Sequence, residues 1–445
     1  MSLLPTNSIH CTRHQERVRS AFTLVEMLVA TAATLILLGI VMTMFEILGE
    51  AVNESRTVGE LEAQLRTVST LLQQDLLGTS VNADSRGLTC PADSSTGNGY
   101  FEVIEGPNTD LWDSSGSGFD KSGTTPGPLN SSDDRIVGDT DDLLFFTTQS
   151  ISQEPFSGNF GINSTTTSAD AEVVWFCKPT PNSSNPTLYT LYRRCLLVVG
   201  QFPESPFDSQ GSKPYTSDFF ELYDLSARCE VSNGIWKMQL NTMQDLLLRR
   251  NRFAHYDFDF DIKNPLQITP SANLAPVDQA NVLPFSKRIG EDVLMTNVLS
   301  FDVRLLDPTA SERRLGVTRL TPGDKDYWAA SLNSGSSPIY VDLGYNSSNT
   351  TSTPANSDFS SYGMINHNLQ ASEKTRRTWD TWSNTYTTNG IDDDLISDVN
   401  NISIDNSTES PPYPSQLQGI QITIRCYDPS SKKIRQTTVI NSFLP

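Results

Sequence analysis

Between Glu26 and Glu46 the chain runs for 19 residues, Met27 to Phe45, without a charged side chain. No other stretch of the 445 residues restricts the possible structures as much. As a helix the run spans about 28 Å, close to the roughly 30 Å hydrocarbon core of a bilayer. Thr31, Thr34 and Thr43 fit such a span because their hydroxyls can bond back to helix carbonyls. The residues ahead of it, 1–21, are polar and net basic, with Arg13, Arg17 and Arg19. In a secretory signal the apolar stretch precedes the cleavage site. Here Ser20-Ala21-Phe22-Thr23-Leu24-Val25-Glu26 comes first and the apolar stretch follows. The basic residues place 1–21 in the cytoplasm and the body across the membrane.

Glu26 is costly at the start of a membrane span unless it is paired. A cut after Ala21 would create an amine on Phe22 at similar depth, and that amine on one subunit could neutralise Glu26 on its neighbour. The plainer reading puts Glu26 at the interface of an ordinary signal anchor.

The segment Ala21-Phe22-Thr23-Leu24-Val25-Glu26-Met27-Leu28-Val29-Ala30 resembles the processing and methylation motif of type IV prepilins. That family has a small residue, then Phe-Thr-Leu, then a Glu fifth in the mature chain. Phe22 and Glu26 stand first and fifth here, and Ala21 replaces the more common Gly. The resemblance implies that a prepilin peptidase cuts between Ala21 and Phe22 and methylates the Phe22 amine. It also implies that Glu26 guides subunit registration in a filament.

Beyond Phe45 the pattern becomes one-faced. Val58, Leu61, Leu65, Val68 and Leu72 recur at helical spacing, Leu76 adds a turn, and Glu60, Glu62, Arg66, Gln73 and Gln74 take the other face. One helix from Phe22 to Leu77 would be about 84 Å long, with Gly78 as C-cap. Residues 52–77 could form a two-stranded coiled coil or pack on the chain's own sheet; the short stripe favours the sheet. In pilins the upper half of this helix is the spine of a β-sheet. The Leu- and Gln-rich run ending in Asp75-Leu76 resembles the helix end of J-type minor pseudopilins of type II secretion and of W-type minor pilins.

After residue 80, β-like runs alternate with Ser/Asn/Gly/Pro-rich loops. The predicted strands are 142–148, 172–177, 188–199, 298–306, 420–427 and 435–440. The second and third read as one antiparallel hairpin and the last two as another, each with one face on a helix and one toward solvent. Strands 297–307 and 420–425 also resemble late strands of W- and J-type pilins. A short helix is predicted at 242–250, loops at 108–141, 160–170 and 345–362, and insertions at 80–140, 200–290 and 310–415. The fold class is therefore α+β: a long N-terminal transmembrane and amphipathic helix packed on an antiparallel sheet with long loops, as in pilins. The divisions are a leader (1–21), an assembly helix (22–77, of which 22–45 spans the membrane) and a β-rich extracytoplasmic region (78–445).

The chemistry elsewhere is sparse. The formal charge is −20; without Arg13, Arg17, Arg19 and Glu16 there remain 29 basic and 51 acidic residues, a charge of −22. Such a surface repels phosphate backbones and argues against direct nucleic-acid binding. His10 and His14 lie in the leader, and His255 and His367 are far apart in sequence. No hydrolase or phosphate-loop motif is present, and Ser430-x-x-Lys433 sits in a turn rather than opening a helix, so the expectation is a protein that is not an enzyme. Cysteines 11, 90, 177, 195, 229 and 426 lack metal-site spacing; in an exported body they allow one or two disulfides. Asp392, Asp393 and Asp394, like Asp139, Asp141 and Asp142, could supply oxygens to calcium, which some pseudopilins carry. Solvated loop charge is the ordinary reading of both clusters, and of the alternating Asp257, Asp259 and Asp261.

The resulting expectation is a minor pilin or pseudopilin of a type IV pilus or a type II secretion pseudopilus. It would sit single-pass in the inner membrane with its body periplasmic or extracellular, and its partners would be the prepilin peptidase, other subunits and membrane lipid. The presence of Glu26 argues against the family branch that often lacks it and sits at the extreme tip. The alternative is an adhesin or substrate-binding β-domain displayed on the same anchor.

Overall fold

The computed structural model describes residues 23–89, 98–104, 140, 142–152, 154–161, 164–180, 188–200, 208–209, 219–220, 222–232, 235–248, 251–253, 293–307, 313–315, 318–320, 331–332, 339–341, 343, 378–381, 416–429 and 431–444. The chain divides between Val58 and Gly59 into two units, each taken by itself.

Up to Val58 the described structure is helical, the first part of α1, Leu24–Leu77. Leu24–Gly49 is 26 residues long with mean hydropathy 2.4, long and apolar enough to cross a membrane. It is apolar on every side, and Leu24, Leu35 and Phe45 are all exposed. A helix apolar all round needs an apolar surrounding. The threonines behave as their setting requires. Thr31 donates to the Leu28 carbonyl at 3.0 Å, Thr34 to Ala30 at 3.0 Å and Thr43 to Gly39 at 2.6 Å.

From Gly59 on, α1 becomes the spine of a nine-stranded sheet. Its strands, in chain order, are β1 (Phe101–Ile104), β2 (Leu143–Gln149), β3 (Asp170–Pro179), β4 (Tyr189–Val198), β5 (Val293–Asp307), β6 (Ile339–Val341), β7 (Thr378–Asp380), β8 (Gly419–Asp428) and β9 (Lys433–Ser442). The spatial order is β7-β1-β2-β3-β4-β5-β8-β9, with β6 also on β5, and every pairing is antiparallel. All six predicted strands are present, and both predicted hairpins pair as expected.

The sheet curls into a half-barrel. At Asn297, with φ +57°, the β4–β5 register shifts, and the pairing ends at Val298 opposite Tyr189. Beyond that point the Val303 N–H donates to Asp142 Oδ2 at 2.6 Å. Asp142 adjoins β2, three places from β5 in the strand order, about 14 Å away in a flat sheet. Curling brings the carboxylate to a main-chain donor that lies beyond the β4 pairing.

The concave face packs on α1. Leu65, Val68, Leu72 and Leu76 lie in one apolar cluster with Phe146, Val173, Trp175, Phe301, Ile422 and Val439. Each such side chain contributes about 1.5–3 kcal/mol, most of it offset by the entropy of ordering the chain. This stripe is the predicted one, and it meets the chain's own sheet.

Three expectations need correcting. First, the second face of β1–β4 does not look to solvent. Phe219, Phe220, Leu225, Met238, Leu246 and Phe253 cover it, together with the hairpin Ala227–Ser232/Ile235–Leu240. Part of the expected insertion 200–290 is thus a structural cover. Second, where a helix is expected at 242–250, the described residues hold a 3-10 turn, Asp245–Leu247. The Asn251 and Arg252 side chains take the Asp245 and Leu246 carbonyls that a longer helix would use. Third, 160–170 is not a plain loop: Thr165–Ser168 pairs with Phe156–Asn159. The loop expected at 345–362 lies outside the described residues, as does the one expected at 108–141 apart from Thr140.

Candidate functional site

The start of α1 is capped by its own sequence. Thr23 is the N-cap and Glu26 the third helical residue, the spacing of a capping box. The Thr23 N–H and hydroxyl both donate to Glu26 Oε2 at 2.9 Å, and the Glu26 N–H donates to Thr23 Oγ1 at 3.2 Å. A carboxylate in the first turn also meets the positive end of the helix dipole. Glu26, singled out for its cost in a membrane, therefore has a partner within its own chain. Its Oε1 takes no hydrogen bond among the described residues. Ala21 and Phe22 lie outside the described residues.

The other end of α1 is fixed by a buried ionic contact. Asp75 is 2% exposed. Arg193 on β4 grips it with both arms, Nε to Oδ2 and Nη2 to Oδ1, each at 2.7 Å. Trp175 on β3 donates Nε1 to the same Oδ2 at 3.0 Å, and Thr148 on β2 donates to the Asp75 carbonyl at 2.8 Å. Burial alone would lower the Arg193 pKa, but the Asp75 charge and hydrogen bonds outweigh it and hold it above its usual value. On the same face of β4, burial pushes the Cys195 thiol up to about 11.

A second buried polar group joins the sheet to its cover. Glu102 on β1 and Asp380 on β7 are directly opposed, a repulsive arrangement by itself. Arg252 Nη1 lies between them, 2.9 Å from Glu102 Oε2 and 2.7 Å from Asp380 Oδ1. The guanidinium also stacks over the Tyr100 ring at 4.0 Å. The Tyr100 hydroxyl donates to Glu172 at 2.7 Å, and Glu172 also accepts the Ser226 hydroxyl and the Phe253 N–H. Burial first, and the Glu172 charge second, raise the Tyr100 phenol well above its usual value.

Of the calcium candidates, Asp142 caps Val303. Asp139, Asp141 and Asp392–Asp394 lie outside the described residues, as do Asp257, Asp259, Asp261, His255 and His367. Among the described residues, no three His, Cys, Asp or Glu side chains are arranged to hold a metal. Cys195 and Cys426 are free thiols; Cys11 and Cys90 lie outside the described residues.

The sequence reading missed Glu102, Glu172, Arg193, Arg252 and Asp380. The usable signal was a lone acid inside an apolar run, as in Tyr100-Phe101-Glu102-Val103-Ile104 and Glu172-Val173-Val174-Trp175. Such an acid is either on an exposed strand face or buried with a partner.

No family model, no curated protein and no solved structure matches the chain.

Proposed function

We propose that this chain is a minor pilin or pseudopilin: a structural subunit anchored single-pass in the inner membrane, cut between Ala21 and Phe22, and assembled into a filament through α1. The observation that carries the reading is α1 itself. It is apolar on all sides over Met27–Phe45, one-faced against a sheet over Leu65–Leu76, and opens on a capped carboxylate, Glu26. A simple anchor needs only the first of these. In this reading Oε2 stays with Thr23, and Oε1 meets the Phe22 amine of a neighbouring subunit. The peptidase acts from the membrane, and the half-barrel body stands on the far side.

The capping box makes the test sharper. Gln at the third helical position caps as Glu does, but carries no charge. Glu26→Gln therefore leaves the helix start intact and removes only the charge. The expected result is normal membrane insertion with loss of incorporation into filaments. Incorporation at the wild-type level would sink the reading.

A further inference from the structure

β9, Lys433–Ser442, is the last strand in the order of the nine-stranded sheet. One of its edges pairs with β8 along the whole strand, from Lys433 opposite Asp428 to Ser442 opposite Gly419, without a register shift. Among the described residues no strand pairs with the other edge. The strand is held at both ends. Arg435 Nε lies 3.0 Å from Glu62 Oε1 on α1, and the Phe443 ring packs on Phe101 of β1 at 5.3 Å. Sheets ordinarily blunt an edge with charges along it, proline, a bulge or a short strand. Gln436–Ser442 holds no charge, no proline and no bulge. That stretch spans about 23 Å, the reach of a full strand. Gln436, Thr438, Ile440 and Ser442 are exposed, Ile440 at 57%. On a chain of formal charge −20, the charges of this edge are all basic and gather at one end, in Lys432, Lys433 and Arg435.

A second copy does not suit this edge. Antiparallel pairing of β9 with itself needs a two-fold axis normal to the sheet. That axis turns residues 59–77 of α1, which lie along the concave face, end for end. The two helices then lead away in opposite directions, and one membrane cannot take both; this step rests on the single-pass anchor proposed above. Parallel pairing in register sets Lys433 against Lys433 and Arg435 against Arg435, which is repulsive. The opposite edge of the sheet, β7, offers only Thr378–Asp380, too short to match β9. We propose that β9 is a docking edge for an extended segment of a different protein, one whose charge is opposite to that of the edge. The segment adds antiparallel, as every strand of this sheet does. It is uncharged opposite Gln436–Ser442 and carries carboxylates at its C-terminal end, opposite Lys433 and Arg435. Main-chain hydrogen bonds supply the attachment, and the basic end sets direction and register.

The test uses the full chain in lipid nanodiscs and a fluorescent peptide, Thr-Thr-Val-Thr-Val-Thr-Val-Glu-Val-Glu, followed by anisotropy and by amide hydrogen exchange. The expected result is saturable binding that slows exchange in Gln436–Ser442. The same peptide with Lys in place of Glu should bind about tenfold more weakly, since two cross-strand charge pairs change sign. Lys433→Glu should reduce that preference. Two further peptides, N-methylated at alternate residues in the two possible phases, separate strand addition from side-chain contact without altering the protein. One phase should abolish binding and the other should retain it. No binding, equal binding of both methylated peptides, or protection at Thr378–Asp380 in place of Gln436–Ser442 would overturn the proposal. So would protection of Gln436–Ser442 that rises with protein concentration in the absence of peptide, which would make a second copy the occupant. The N-terminus of the mature chain, which decides the anchor and filament reading, is not read in this experiment, so the two fail separately.

Discussion

Thr23 with Glu26 and Thr242 with Asp245 are the same local device: a threonine and an acid three residues later exchange hydrogen bonds across a turn. One opens a 54-residue helix; the other closes the turn that leads into a single 3-10 turn, whose N-cap is Gln244. A cap starts a helix, but the packing that follows decides its length. Buried charges act in the same local way. Arg252 separates two opposed carboxylates, so Arg252→Met should cost about 3–5 kcal/mol, read from denaturant unfolding; a loss below about 1 kcal/mol would mean that the ion pairs contribute little. Tyr100 gives a pH prediction. Its folded pKa lies above its usual value of 10.0. The stability it contributes is therefore complete below pH 10 and is lost as pH rises through the folded value. Unfolding midpoints should fall above pH 10, with one phenol ionising only on unfolding in a titration followed by absorbance. Tyr100→Phe should flatten that alkaline fall.

At the scale of elements, α1 and the six long strands were legible because their signals are local: period 3.6 in Leu61–Leu76, and β-branched or aromatic runs between turn residues. The cover over the second face was less so, because residues 219–253 have no strong period of their own. The signal lay in the strands it covers. Leu143-Leu144-Phe145-Phe146 and Val173-Val174-Trp175-Phe176 are apolar at consecutive positions, as strands buried on both faces are. Gly78 was read correctly in place but not in reason. It is not among the left-handed glycines; it is needed because a Cβ there would run into the Gln149 carbonyl oxygen. Gly78→Ala should cost about 1–3 kcal/mol of stability through overpacking. Gly39→Ala, where a Cβ meets nothing within 4 Å, should leave the described fold unchanged. Equal effects in thermal unfolding would contradict this account. Leu72→Ala, at 0% exposure, should cost about 2–5 kcal/mol.

At the scale of the whole molecule, a chain of formal charge −20 carries one uncharged stretch of membrane length, preceded by the net basic residues 1–21. The acidic body favours a repulsive surface, and the apolar stretch is long enough to cross a membrane. In the proposed filament reading, membrane attachment and polymer assembly fall to the same helix. This is the feature that the filament reading turns on. The most direct test is mass spectrometry of the N-terminus of the protein recovered from its own membrane. The account predicts a chain that begins at Phe22 with a methylated amine. A chain that still begins at Met1, or one cut anywhere other than between Ala21 and Phe22, would contradict it.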